Sequence, residues 1–172
     1  EALTIGEAAF ADCTLIETLV LPDRVSVIEA NAFNHNASLG TVTFGTEEEQ
    51  AGNCSLTSIG AGAFAGTAIE EIVLPANLKT LAATAEGDTE ESESIVGAFD
   101  SCEQLIRVEF SAALETVDGA AFSNCTNLSE IVIPSGVVNI ADNSFRDFAA
   151  LSEITIEGNT LTTIGDFAFA GC

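Results

Sequence analysis

An internal repeat constrains the fold of this chain more than any other feature of its sequence. A phenylalanine, preceded by alanine in six of seven cases, recurs at Phe10, Phe33, Phe64, Phe99, Phe122, Phe145 and Phe169. The steps between these positions are 23, 31, 35, 23, 23 and 24 residues, so the basic period is 23 with two longer steps. Self-similarity at a fixed period predicts a solenoid, in which each coil packs only against its neighbours.

Apolar residues recur at fixed distances from each phenylalanine. After Phe122 they are Leu128, Ile131, Ile133, Val137 and Ile140, and their counterparts after Phe10 are Ile16, Leu19, Leu21, Val25 and Ile28. The β-branched, alternating run from Ile131 to Ile133 is typical of a strand. One strand cannot bury its apolar face alone, so we expect the strands of successive coils to stack as a parallel sheet, about 4.8 Å apart.

The repeat therefore predicts a mainly β solenoid of about seven coils, with a parallel sheet of short strands and a short helical or 3₁₀ turn around each Ala-Phe pair. A second short strand is expected at the later apolar positions, for example from Val137 to Ile140. Prolines follow the first strand of three coils, at Pro22, Pro75 and Pro134. Because proline has no amide hydrogen to donate, it is expected to end the ladder there.

The repeat also resembles a known family. The first coil carries Ile5-Gly6, Ala9-Phe10 and Cys13, and the clearest one carries Ala121-Phe122, Cys125, Leu128, Ile131, Ile133 and Pro134. This pattern resembles the BspA-like leucine-rich repeats over essentially the whole chain apart from two insertions, and it departs from them at Asn36, Thr67 and Phe148 in the cysteine position. The resemblance implies a leucine-rich-repeat solenoid of a cell-surface or secreted protein of bacteria or some protists, with a role in adhesion. It implies no catalytic residues.

Two insertions interrupt the period, near residues 45–53 and 82–94, within what we expect to be a single solenoid domain covering residues 1–172. Both are acidic, small and polar, so they are predicted to be solvated loops. Their carboxylates are of the kind that calcium favours: Glu47, Glu48, Glu49, Asp88, Glu90, Glu91 and Glu93. The EF-hand spacing is absent, so we expect no calcium or other metal site. Neither end carries an obvious polar cap, which predicts a window of a longer protein.

The charge of the chain narrows the classes of partner. It has 27 acidic and 4 basic residues, a net charge of -23. Nucleic acids and anionic membrane surfaces are excluded because both are bound through lysine and arginine, and no apolar run is long enough for a membrane-spanning helix. Cationic proteins, divalent cations and neutral ligands such as glycans stay open, as does the simpler interpretation that the charge keeps an apolar chain soluble.

The reactive side chains form no recognisable catalytic or cofactor site. Four cysteines lie three residues after a phenylalanine, at Cys13, Cys102, Cys125 and Cys172, and the fifth, Cys54, lies outside this position. We expect small buried thiols, although the cysteines at 102 and 125 occupy neighbouring coils, where a disulfide is geometrically feasible. His35 is the only histidine and is predicted to lie in a turn, without the partners that catalysis requires. We therefore predict a protein that is not an enzyme and holds no cofactor.

The surface most suited to binding is the exposed, concave face of the predicted sheet. Its outward positions lie eight and ten residues after each phenylalanine, or one residue sooner in the third coil. They are Thr18, Val20, Thr41, Thr43, Glu71, Val73, Arg107, Glu109, Glu130, Val132, Glu153 and Thr155. The face is acidic toward its C-terminal half, where Arg107 is predicted to be neutralised by Glu109 and Glu130. The absence of Tyr and Trp weakens the case for a hot-spot interface.

We therefore expect an extracellular or cell-surface module that binds proteins of a host or of neighbouring cells through this face. The alternative is a structural spacer or scaffold repeat with no ligand of its own. The two interpretations differ in a simple way, because an isolated adhesion module should bind a partner and a spacer should bind nothing.

Overall fold

The computed structural model describes residues 1–45, 54–85 and 95–172, which form fifteen short strands and a 3₁₀ helix at Gly119–Phe122. In chain order the strands are β1 (Leu3–Ile5), β2 (Thr18–Leu21), β3 (Val25–Ile28), β4 (Thr41–Phe44), β5 (Ser58–Ile59), β6 (Glu71–Val73), β7 (Thr80–Leu81), β8 (Ala83–Ala85), β9 (Ile95–Gly97), β10 (Arg107–Glu109), β11 (Thr116–Val117), β12 (Glu130–Ile133), β13 (Asn139–Ile140), β14 (Glu153–Ile156) and β15 (Thr163–Ile164). None of these described strands exceeds four residues. Short alternating apolar runs in the sequence account for this length.

The strands of successive coils pair in two sets, front and back. The front strands pair as β2-β4 and as β6-β10-β12-β14, and the back strands pair as β1-β3-β5-β7 and as β11-β13-β15. All these pairs are parallel and join equivalent residues of neighbouring coils, for example Ile131 with Ile154. The six front strands define about six turns of a solenoid. The predicted parallel β architecture is therefore confirmed.

The core is built from the repeated apolar positions. Phe33, Phe64, Phe99, Phe122 and Phe145 are fully buried. Neighbouring rings from Phe10 to Phe122 stack with centroids 5.2 Å apart and with interplanar angles of 3° to 11°. The leucines six residues after the phenylalanines are buried as well. Burial of the same positions in the central coils merges them into one continuous core, which supplies the main stabilising free energy.

The terminal turns expose part of the same columns. Phe10 is 43% exposed, and in the last turn Ile154, Ile156 and Ile164 are 40%, 43% and 52% exposed. These side chains occupy core positions of the repeat. Among the described residues, each has a neighbouring coil on one side only, which explains the exposure.

Five of the seven phenylalanine turns place two residues in the left-handed backbone region, two positions before and two positions after the phenylalanine, and the turns around Phe99 and Phe122 place only the later one there. Asn31 and His35 flank Phe33 in this way, with φ of 57° and 58°, and the turn around Phe64 uses glycine at both places. Glycine and asparagine adopt this region most readily. The amide of Phe33 then donates to the carbonyl of Ala63 in the next coil at 2.8 Å. Equivalent bonds join the turns from Phe10 to Phe122 and the turns of Phe145 and Phe169, so these turns form a third hydrogen-bonded ladder between coils.

The aromatic column is interrupted between Phe122 and Phe145. No stacking contact joins these two described rings, and the ring of Phe110 meets both edge-on, with centroids 5.6 Å and 6.1 Å away. The turn at this point is the 3₁₀ helix, in which the amide of Ala120 donates to the carboxylate of its capping residue Asp118 at 2.9 Å. Ser144 replaces the usual alanine in the following coil, and its hydroxyl donates to a carbonyl of its own turn at 2.7 Å. This junction between coils is therefore packed differently from the others.

The second insertion begins as an antiparallel ribbon that the sequence analysis did not predict. β8 pairs with β9, with Thr84 opposite Val96, so residues 83–85, expected in a loop, form a strand. The β-branched pair Ile95-Val96 favours such pairing. The acidic segments 46–53 and 86–94 lie outside the described residues. The carboxylates considered for a cation site belong to these segments and are therefore also outside the described residues: Glu47, Glu48, Glu49, Asp88, Glu90, Glu91 and Glu93.

The front strands are divided between β4 and β6. The third coil has one residue fewer between Phe64 and its front strand than the second coil has after Phe33, and the described residues of β4 and β6 do not pair. The aromatic column continues across this point, because the rings of Phe33 and Phe64 stack at 5.2 Å. The front face therefore consists of a two-stranded part and a four-stranded part.

Candidate interaction face

The twelve predicted face residues lie on the six front strands in two rows. In the first row Thr18 lies beside Thr41 on β2 and β4, and Glu71, Arg107, Glu130 and Glu153 follow one another on β6, β10, β12 and β14. In the second row Val20 lies beside Thr43, and Val73, Glu109, Val132 and Thr155 follow one another on the same four strands. Strand alternation explains the placement, since intervening residues such as Val108 and Ile131 are fully buried in the core. The structure thus brings the predicted residues together on the side of the front strands that faces away from the core.

The valines of this face differ in accessibility. Val20 is 59% exposed and Val73 is 44% exposed, whereas Val132 is only 7% exposed. Val132 lies on β12, which has a paired strand on each side, while β2 and β6 are each paired on one side only. Val132 therefore shapes the centre of the four-stranded part but offers little surface to a partner.

Arg107 is held by two carboxylates, as the sequence predicts. Its Nε donates to Glu130 Oε1 at 2.8 Å, and its Nη2 donates to Glu109 Oε2 at 3.1 Å. The hydrogen bond to Glu130 and the one to Glu109 raise the pKa of Arg107 above its usual value. The three side chains are between about one quarter and two fifths exposed. With its guanidinium occupied in this way, Arg107 is a poor receptor for an anionic ligand.

The cysteine position forms a column of polar side chains that bond to the turn of the preceding coil. The Sγ of Cys102 donates to the carbonyl of Phe64 at 3.2 Å, and the Sγ of Cys125 donates to the carbonyl of Phe99 at 3.1 Å. Thr67 fills the same position in its coil and lies 3.3 Å from the Sγ of Cys102. All five cysteines of the chain are free. The hydrogen bond with Cys102 and burial raise the pKa of the Cys125 thiol well above its usual range, so it is a protonated structural group.

The described residues hold no other constellation of reactive groups. They contain no cluster of three or more side chains suited to a metal ion. His35 Nδ1 lies 3.6 Å from Asp12 Oδ1, but both side chains are largely exposed and no further described side chain hydrogen-bonds to the imidazole. Catalytic histidines require such a third, orienting group. No helix in the described part of the chain is long and apolar enough to cross a membrane.

Comparison with known proteins identifies the repeat. The family described as the BspA type leucine rich repeat region matches residues 2–91 and 89–172, in six copies. The chain belongs to this family. The match covers the described coils and both insertions, so the BspA-type repeat accounts for the whole length. No curated protein matches the sequence.

Solved bacterial leucine-rich-repeat structures share the fold. A leucine-rich repeat protein from Bacteroides ovatus is 27% identical, with a TM-score of 0.61 over 98% of this chain and 44% of that one. The T. pallidum leucine-rich repeat protein is 24% identical, with a TM-score of 0.70 over 99% of this chain and 70% of that one. A protein from Eubacterium ventriosum is 21% identical, with a TM-score of 0.65 over 91% and 43%. The BspA-type chain thus spans less than half the length of two of these three proteins.

Proposed function

We propose that the chain is a non-catalytic binding module of a cell-surface or secreted bacterial protein, and that it acts through the front face. The observation that carries the proposal is the pair of outward rows, whose side chains are held in register by paired strands and take no part in the core. A stacked array of this kind presents an extended surface without needing a pocket or a cofactor.

Proteins of a host or of neighbouring cells are the partners we propose. The front face is open and several strands wide, which suits a protein surface better than a small ligand. The chain has no Tyr or Trp, the residues that most often dominate tight interfaces. A modest affinity multiplied by further repeats of a longer protein is therefore the expected mode of binding.

The binding test compares two double variants of identical chemistry. Thr18→Arg with Thr155→Arg changes the front face, and Thr80→Arg with Thr163→Arg changes the back strands; all four threonines are exposed. Fluorescently labelled chains would be incubated with a panel of intact mammalian and bacterial cells. We expect the front variant to lose binding and the back variant to keep it. Equal loss, or no loss, in both variants would remove the front face from the proposal.

Surface location is tested separately in the source bacterium. Antibodies against the chain should label intact cells as strongly as permeabilised ones. Labelling only after permeabilisation would contradict an extracellular role. If the labelled chain is extracellular but the unmodified protein binds none of the cells in the panel, the spacer interpretation is favoured instead.

A further inference from the structure

We infer that the four-stranded part of the front face receives an extended, cationic segment of a protein partner, rich in lysine or arginine. This inference rests on the proposed function of the face and names the chemistry of what it binds. The surface in question is formed by β6, β10, β12 and β14, which pair continuously.

The distribution of positive charge supports a cationic occupant. The chain has four basic residues in all: Arg24, Lys79, Arg107 and Arg146. Only Arg107 lies on a front strand, and two carboxylates already occupy its guanidinium at 2.8 Å and 3.1 Å. The remaining carboxylates of this surface therefore have no cation of their own chain on the face to pair with.

Two of those carboxylates stand unpaired in the outward rows. Glu71 and Glu153 are exposed, and neither forms an ion pair within the described part of the chain. Glu153 is also in register with Glu130 on the neighbouring strand. Carboxylates one strand spacing apart repel each other. Arg107 bonds to Glu130 from β10, on the opposite side of β12 from Glu153, so Glu153 itself has no cation beside it. A cation supplied by a partner would relieve the repulsion.

The same surface carries an exposed apolar group among the charges. Val73, in the outward rows, is 44% exposed. The aliphatic stems of lysine and arginine pack well on such groups while their charged ends reach carboxylates. The row from Glu71 to Glu153 crosses three strand spacings, about 14 Å, which about four residues of extended peptide would span.

The two-stranded part of the face provides an internal contrast. Its outward positions are Thr18, Val20, Thr41 and Thr43, none of which is charged. Charge complementarity to a basic segment is therefore confined to the four-stranded part. A general acidic surface would not distinguish the two parts in this way.

The test uses a fluorescein-labelled decapeptide that alternates lysine and serine, titrated with the full chain and followed by fluorescence anisotropy. Glu71→Gln with Glu153→Gln should weaken binding about tenfold. Glu103→Gln with Glu115→Gln removes the same charge from exposed residues outside the front strands and should weaken it by less than about twofold, because such distant charges are screened. The lysine-acetylated peptide should not bind.

Each other outcome overturns the inference. Equal weakening by both double variants would show attraction to the net charge alone. Calorimetric heat with calcium alone, lost in Glu71→Gln with Glu153→Gln and not matched by peptide binding, would make the surface a metal site. If the peptide fails to bind but the Thr18→Arg, Thr155→Arg variant still loses cell binding, the face binds a partner that is not cationic. If cell binding is also unaffected, the proposed function fails with it.

Discussion

At the scale of single residues, the phenylalanines are the largest fully buried side chains of the core. The five central phenylalanines have no exposed surface, and each stacked ring is shared by two coils. A large ring at this position fills the space beside the small alanine that precedes it, so neither residue is easily replaced. Truncating such a ring loses the free energy of burying its atoms and adds the cost of the cavity that it leaves.

Truncation of one ring tests this directly. Phe122→Ala should lower the free energy of unfolding by about 3–5 kcal/mol, measured by urea denaturation. Phe10→Ala is the matched control, because the ring of Phe10 is 43% exposed whereas that of Phe122 is fully buried, so it should cost much less. An unchanged midpoint in Phe122→Ala would contradict the stacked core.

The thiols give a second test at this scale. Cys54, Cys102 and Cys125 are free but buried, so a thiol reagent cannot reach them in the folded protein and all three should resist it. Cys13 and Cys172 are more accessible and should react. In denaturant without reductant five thiols should be counted, and a lower count would reveal a bridge, first of all between Cys102 and Cys125.

At the scale of elements, the repeat period predicts the strands that recur in successive coils. It does not predict features that belong to a single coil. The front strand at Glu130–Ile133 and a back strand at Asn139–Ile140 follow from columns of apolar residues. The ribbon of β8 and β9 occurs once among the described residues, so no periodicity could indicate it. The edge-on insertion of Phe110 depends on ring orientation, which the position of a phenylalanine in the sequence does not determine.

The face residues show the same limit. Their alternation predicts that all twelve point away from the core, and their placement in two rows follows. Accessibility depends also on how many strands flank a residue, which explains why Val132 is covered and Val73 is not. The division between β4 and β6 coincides with the one-residue shortening of the third coil, a signal that was visible in the sequence.

The interrupted junction between Phe122 and Phe145 should be weaker than the junction between Phe64 and Phe99, whose rings stack. The rings are not stacked there, and Ile154 and Ile156 are partly exposed. The last two turns therefore bury less apolar surface against the rest of the solenoid, and their local stability should be lower. Hydrogen exchange followed by mass spectrometry should show faster exchange at the amides of residues 143–147 than at those of residues 62–66. Slower exchange in the later turn would show that the junction is as well packed as the others.

At the scale of the whole molecule, the charge works against compactness. The described carboxylates lie on the surface, where solvent screens them, but the mutual repulsion within a net charge of -23 still destabilises the folded chain. We expect the same charge to repel nucleic acid and anionic lipid, which are bound through lysine and arginine.

Salt should therefore stabilise the protein. Raising sodium chloride from about 20 mM to about 500 mM shortens the screening length several-fold and should raise Tm, measured by circular dichroism. Sodium sulfate at equal ionic strength separates screening from preferential exclusion. A Tm that falls with sodium chloride would mean that attractive ion pairs outweigh the repulsion, contrary to the few pairs among the described residues.

Carboxylate footprinting tests most directly the central claim, that the front face is where a partner binds. The chain, alone and with the lysine–serine decapeptide, would be labelled with a carbodiimide and glycine ethyl ester, and the modified residues would be located by mass spectrometry. The account predicts that the peptide protects Glu71 and Glu153 and leaves Glu103 and Glu115 unchanged. Protection of Glu103 and Glu115, or equal protection everywhere, would contradict it.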